Sequence, residues 1–229
     1  MDPQNLPERL REVRERMARA ALAAGRNADC VTLLAVGKGQ PLELLASAAA
    51  EGVKDFGENY LQEALGKVAA LQGRALSWHF IGRVQANKTR PIAENFAWVH
   101  AVDRLKVAER LAAQRSPHLP PLNVCLEVSL AGEQSKGGVS ESELPQLAQA
   151  VAALPRLRLR GLMCLPPQES EVARQRAWFR RLRELKEALN TAGGRLDTLS
   201  MGMSADFEAA IAEGATIVRL GTVLFGPRA

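Results

Sequence analysis

The stretch Val31-Thr32-Leu33-Leu34-Ala35-Val36-Gly37-Lys38-Gly39 decides the fold of this chain. Its first six residues form a short apolar run rich in strand formers, and Gly37 ends it. A helix-like stretch follows from Pro41, where a proline's missing N–H is tolerated. Strand, short loop and helix make one unit, and the unit recurs along the chain. The pattern predicts further strands at 54–56, 76–81, 97–101, 122–128, 157–163, 196–199 and 216–220, which with the first makes eight. Helical patterns at 58–71, 86–93, 104–114, 141–152, 170–192 and 205–212 lie between them. The clearest stripe in these is Trp178, Leu182, Leu185 and Leu189, one face of a helix.

Strict alternation argues for a parallel sheet, because parallel neighbours need a long return connection and its crossover is right-handed. Eight units point to an α/β fold of the (β/α)8 TIM type, and the doubly wound open sheet is the runner-up. Only nine residues follow Leu220, so the last strand lacks a full helix of its own. An N-terminal helix marked by Leu6, Leu10, Val13, Met17, Ala20 and Ala24, and stopped at Gly25, is the natural cover for that gap. Residues 1–229 read as one domain.

Composition agrees. Hydrophobic residues are 47% and charged residues 24% of the 229, the balance of a globular protein. No run approaches the roughly 18 apolar residues of a membrane span, and the first sixteen residues are too charged for a signal peptide, so a cytoplasmic location without membrane contact is expected. Cys30, Cys125 and Cys164 form an odd set without CxxC spacing, and read as small core residues rather than disulfides or metal ligands. The net charge of +5 invites a nucleic-acid reading. Basic and acidic residues are interleaved, however, and ten aromatics are a poor supply for stacking bases, so no nucleic acid is expected.

In such a barrel, chemistry belongs to the loops after the strands. Lys38, between two glycines at the end of the first strand, is placed where a partly desolvated amine becomes a nucleophile. It is not a Walker A lysine, since Gly39 rather than Ser or Thr follows it. After the seventh strand comes Ser200-Met201-Gly202-Met203-Ser204, with Ser204 read as the N-cap of a short helix beginning Ala205-Asp206. After the eighth comes Arg219-Leu220-Gly221-Thr222, where Gly221 permits close backbone approach and Thr222 adds a hydroxyl. Barrels often hold phosphate at the loops after strands seven and eight. An amine nucleophile beside a phosphate cup suits a phosphorylated aldehyde, and pyridoxal 5'-phosphate is the obvious one. Strands one and eight adjoin in a closed barrel, which sets the lysine next to the cup.

These residues resemble the pyridoxal phosphate homeostasis protein family, single-domain barrels related to the N-terminal barrel of alanine racemases. The matching stretches are Phe56-Gly57-Glu58-Asn59-Tyr60, Trp78-His79-Phe80-Ile81-Gly82 with Gln85 and Asn87-Lys88, Ser135-Lys136, Arg160-Gly161-Leu162-Met163, Ser200 to Ser204, and Val218 to Thr222. The resemblance implies that Lys38 carries the cofactor as a Schiff base, that Ser204, Gly221 and Thr222 hold its phosphate, and that Arg219 faces the pyridine nitrogen. It implies that Asn59 and Met163 line the ring, with Ser200 and His79 nearby. The chain departs from the family pattern at Gly37 and Gly39, where the family usually has Ser and Thr, and this puts the rigidity of the lysine loop in question.

The function so implied is a carrier that takes part in intracellular homeostasis of pyridoxal phosphate, as a monomer, with apo-enzymes that receive the cofactor as partners. An amino-acid racemase on the same barrel is the alternative. Racemisation needs proton donors on both faces of the α-carbon, and the related racemases draw the second, a tyrosine, from a separate β domain. Tyr60 is the single tyrosine here and, lying just after the second strand, is not a matching substitute.

Overall fold

Parallel strands cannot be joined by tight turns, so each must be followed by a segment long enough to return to the other end of the sheet. The computed structural model, which describes residues 5–131 and 137–226, does this with helices. After α1 (Leu6–Ala23) come β1 (Thr32–Val36), α2 (Leu42–Ala50), β2 (Asp55–Glu58), α3 (Leu61–Ala70) and β3 (Ser77–Phe80). A 3-10 turn (Ala86–Lys88) leads into α4 (Thr89–Asn95), β4 (Trp98–Val102), α5 (Leu105–Gln114) and β5 (Leu122–Glu127). The chain continues through α6 (Leu144–Ala152), β6 (Leu157–Met163), α7 (Val172–Thr191), β7 (Thr198–Ser200), α8 (Phe207–Ala212), β8 (Ile217–Leu220) and a single turn, α9 (Thr222–Phe225).

All eight strands pair in sequence order and the sheet closes, with β1 bonded in parallel to both β2 and β8. The (β/α)8 barrel expected from the alternation is the fold observed. α1 packs against α8 and α9 and buries Leu6, Leu10, Val13, Met17 and Ala21, so it covers the gap beside the short last helix as expected. In α7 the expected stripe holds for Leu182, which is buried, and for Leu185 and Leu189, which pack partly buried against the core; at its start Phe179 takes the buried place instead of Trp178, whose indole N–H reaches Glu169 (3.5 Å). Cys125 and Cys164 are core residues, but Cys30 is only half-buried.

Side chains alternate across each strand, so one set faces the helices and the other the barrel interior. Leu33, Ala35, Phe56, Trp78, Phe80, Val99, Leu126, Leu162, Leu199 and Val218 join the large core between sheet and helices. Among the described residues the interior holds two small apolar clusters, one around Leu34, Ile81 and Ile217 and one around Ala101, Cys125 and Met163. A packed barrel interior is ordinarily dominated by branched apolar side chains. Here His79, His100, Ser200 and Arg219, all buried, take much of that space.

Candidate functional site

The carboxyl ends of the strands carry most of the residues singled out above. Lys38 follows β1 and is half-buried. Its ammonium lies 5.6 Å from the centre of the Tyr60 ring, close enough for a cation–π contact. Tyr60 sits at the start of α3 with 59% of its surface exposed, and nothing in its sequence position had linked it to the lysine.

The loop around Lys38 is held from below by residues that the sequence reading left unassigned. Lys67, in α3, is buried, and its Nζ donates to the Gly37 carbonyl (2.7 Å), Glu58 Oε1 (2.9 Å) and Glu63 Oε1 (2.5 Å). Glu63 Oε1 also accepts the Gly39 amide (2.7 Å). The two residues flanking Lys38 are therefore both tethered to α3 through their backbones, without side-chain hydroxyls. This answers the question raised by Gly37 and Gly39. A Cβ on Gly37 would lie 2.4 Å from Glu58 Oε1, so the glycine lets the carboxylate approach the loop. Burial, opposed by Lys67, pushes the Glu58 carboxyl up to about 7.

The loops after β7 and β8 are stitched together. The Arg219 amide donates to the Gly202 carbonyl (3.0 Å), and the Val223 amide in α9 donates to Ser204 Oγ (3.3 Å). Ser204 is thus not the cap of α8, which starts at Phe207. Asp206 stands at the N-cap position without a side-chain capping bond, and its carboxylate turns back to accept the Met203 amide of the loop (2.6 Å). Gly202 has φ +93, and a Cβ there would lie 2.6 Å from Ala210 Cβ, so glycine is required for the loop to lie on α8. Gly221 precedes α9 and packs on Val36, two residues before Lys38. Lysine loop and cup are neighbours, as the closed barrel demands.

Arg219 projects inward from β8 and is buried. Nη1 donates to the Ser200 carbonyl (2.6 Å) and Ser200 Oγ (2.9 Å), and Nη2 to the Cys164 carbonyl (2.9 Å). Burial lowers its pKa, with Asp206 and Glu127 acting the other way, but a guanidinium starts so high that it remains a cation at neutral pH. These bonds use three of its five N–H groups, which leaves donors for a further acceptor. Met163, buried, and Asn59, half-buried, end β6 and follow β2. Phe56 and Phe80 belong to the core outside the barrel, and His79 is a hydrogen-bonded interior residue rather than one at the mouth. Ser135 and Lys136 lie outside the described residues. Among those residues no group of His, Cys, Asp or Glu is arranged to hold a metal ion.

Glu127, at the end of β5, is a second buried carboxyl. Burial and then Asp103 raise it to about 7, against the pull of Arg219 and Arg83. Its folded value lies above its ordinary 4.5, so its contribution to stability is full below about 4.5 and is lost as pH rises through about 7. Glu127→Gln is expected to remove that loss, gaining about 2–3 kcal/mol relative to wild type between pH 4.5 and 8. Urea unfolding of both proteins across that range checks it, and a pH-independent difference would show that water reaches the carboxyl.

Residues 2–229 match the alanine racemase N-terminal domain. The chain is 59% identical over 223 residues to the pyridoxal phosphate homeostasis protein of Pseudomonas aeruginosa, covering 97% of this chain and 96% of that one. It is 47% identical over 227 residues to the protein of the same name from Escherichia coli K12, covering 98% and 97%. Among solved structures, PipY of Synechococcus elongatus with pyridoxal phosphate bound superposes with a TM-score of 0.82 at 37% identity, over 96% of this chain and all of that one. Alanine racemase of Corynebacterium glutamicum shares the fold, with a TM-score of 0.68 at 19% identity over 94% of this chain and 61% of its own. The lysine at the end of β1, the stitched loops after β7 and β8 and the buried arginine thus lie in a chain that belongs to the pyridoxal phosphate homeostasis protein family, built on the alanine racemase N-terminal barrel.

Proposed function

We propose that this chain binds pyridoxal 5'-phosphate as a Schiff base on Lys38 and serves as a carrier in homeostasis of the cofactor. The observation that carries the reading is Arg219. A buried guanidinium with N–H groups to spare, next to a lysine loop and a two-loop cup at one end of the barrel, suits a ligand with an acceptor nitrogen, an aldehyde and a phosphate. The bound cofactor supplies an electrophilic aldehyde, with which an amine condenses with loss of one water. Around it, Ser204 and Thr222 would offer a hydroxyl pair to the phosphate and Gly221 a close backbone approach, the Val223 amide being taken by Ser204 Oγ. Asn59 and Met163 flank the ring, and Ser200 holds Arg219.

Arg219, a fixed cation, disfavours a proton on the ring nitrogen, which weakens electron withdrawal from the α-carbon of a bound amino acid. The arrangement favours holding the cofactor over racemising a substrate. The structure of PipY with pyridoxal phosphate bound supports the ligand. Residues 1–229 would act as one cytoplasmic domain and as a monomer, delivering the cofactor to apo-enzymes. No helix among the described residues is long and apolar enough to cross a membrane.

The purified protein mixed with pyridoxal phosphate is expected to be yellow, and borohydride to fix the cofactor on the Lys38 peptide by mass spectrometry. Lys38→Ala should lose both signals, and an unchanged spectrum in that variant would overturn the assignment. Rapid exchange of an amino acid's α-hydrogen by the loaded protein would favour the racemase reading instead.

A further inference from the structure

A chain of hydrogen bonds runs through the barrel from its amino end to Arg219. His79 Nε2 meets Asp55 Oδ1 at 3.0 Å, with Ser77 Oγ also at 3.1 Å. His79 Nδ1 meets His100 Nε2 at 2.9 Å, and His100 Nδ1 meets Ser200 Oγ at 2.8 Å. Ser200 Oγ in turn accepts from Arg219 Nη1 at 2.9 Å. Five residues on β2, β3, β4, β7 and β8 are linked, and both imidazoles are buried.

The two ends fix the direction. A guanidinium can only donate and a carboxylate can only accept. If His79 gives its Nε2–H to Asp55, its Nδ1 must accept from His100 Nε2–H while the ring is neutral. His100 Nδ1 then accepts the Ser200 hydroxyl proton, and Ser200 Oγ accepts from Arg219. Every group is satisfied with one proton on each imidazole, and a reversed bond anywhere leaves two donors or two lone pairs face to face. Burial favours the neutral form of both rings, and for His100 the nearby Arg219 charge does so too. The His79 ring is also held flat against Trp98, 5.4 Å between centres and 5° between planes, while the Arg160 guanidinium lies over the other ring system at 4.8 Å. Asp55 is the end that water can reach: its side chain is 27% exposed and it lines a cleft of about 600 Å3 at the amino end of the barrel with Thr32, Lys54 and Asp29.

We propose that Asp55, His79, His100 and Ser200 form a one-way hydrogen-bond relay that positions the Arg219 guanidinium from the opposite end of the barrel. None of the first three touches the cofactor site; they are positioning residues acting through Ser200. The role in cofactor binding rests on the function proposed above, whereas the relay itself does not.

The chain has three histidines and His118 is exposed, so nitrogen-15 NMR of histidine-labelled protein without added cofactor can read the relay directly. Two neutral rings protonated at Nε2 are expected. A proton on Nδ1 of either ring, or a doubly protonated His79, would overturn the relay whatever the protein binds. Asp55→Leu removes the acceptor and is expected to shift the His79 and His100 nitrogens and to weaken pyridoxal phosphate binding about tenfold, with a displaced absorption maximum. Asp55→Asn keeps an acceptor oxygen and should restore the wild-type tautomers and affinity. If Asp55→Leu alters neither tautomers nor spectrum, the relay fails; if the wild-type protein shows the tautomers but binds no pyridoxal phosphate, the functional reading fails and the relay stands.

Discussion

Replacing Lys67 by Met is expected to destabilise the protein by about 3–5 kcal/mol above pH 7, the cost of breaking a buried ion pair by removing one partner. Lys67 is buried with its ammonium on three oxygens, and the Glu58 side chain has no exposed surface. Methionine keeps the volume and deletes the charge. Glu58 is then left as a buried carboxylate, with Oε2 already lacking a hydrogen-bond partner among the described residues. It can escape by taking up a proton, which is easier at low pH. The wild-type carboxyl sits at about 7, so below about pH 5 it is neutral in both proteins and the difference shrinks to the lost bonds to Gly37 and Glu63, about 1–2 kcal/mol. Urea unfolding at pH 5 and pH 8 reads the contrast, and equal differences at the two values would refute it. Glu58→Gln combined with Lys67→Met should recover much of the loss at pH 8, because no buried charge remains. Pyridoxal phosphate affinity should fall in the single variant as well, since the Gly37 carbonyl loses its tether beside Lys38.

The contrast between Lys38 and Lys67 shows where sequence reading reached its end. The run 31–36 and the eightfold alternation specify a closed barrel, because local period and chain economy leave few other arrangements. A closed barrel places whatever follows each strand at one end, and so Lys38, Ser200, Ser204, Arg219 and Gly221 were legible as neighbours before any coordinate. Lys67 and Glu63 were not. At i and i+4 on a helix they read as an ordinary surface pair, and only the packing of α3 against the β1 loop turns them inward. The signal that does exist lies in Glu58, a carboxylate at a strand position sharing the helix-facing side with Phe56, which must find a cation nearby. His79 and His100 carried a similar clue. His79 lies between Trp78 and Phe80 and His100 follows Val99, all three of the outer core, so both rings point into the interior, where a polar side chain needs a partner. Ser204 was misread as a cap because the loop's tertiary contact with α9 has no local signature.

Gly161→Ala is expected to cost more than 4 kcal/mol or to prevent folding altogether, although it adds one methyl group. Gly161 pairs with Thr198 across β6 and β7, and a Cβ there would lie 1.8 Å from the Thr198 carbonyl oxygen and 2.6 Å from its carbon. Ordinary overpacking costs about 1–3 kcal/mol because side chains yield by changing rotamer. Here the obstacle is the backbone of Thr198 in β7, so relief requires the strand pair to part. β5 already shifts register against β6 next to this point, Val124 pairing with Leu159 and Cys125 with Gly161, which leaves little freedom on the other side. Two residues further on, the same ladder sets Met163 opposite Ser200, the serine that holds Arg219. A displaced ladder therefore moves the site as well as loosening the barrel. Gly66 provides the control. It lies in the interior of α3 with nothing within 4 Å of an added Cβ, and alanine there should stabilise by about 0.5–1 kcal/mol through helix propensity alone. Thermal unfolding of the two variants separates the effects, and a Gly161→Ala protein that melts within a few degrees of wild type would show that β6 and β7 can part without penalty.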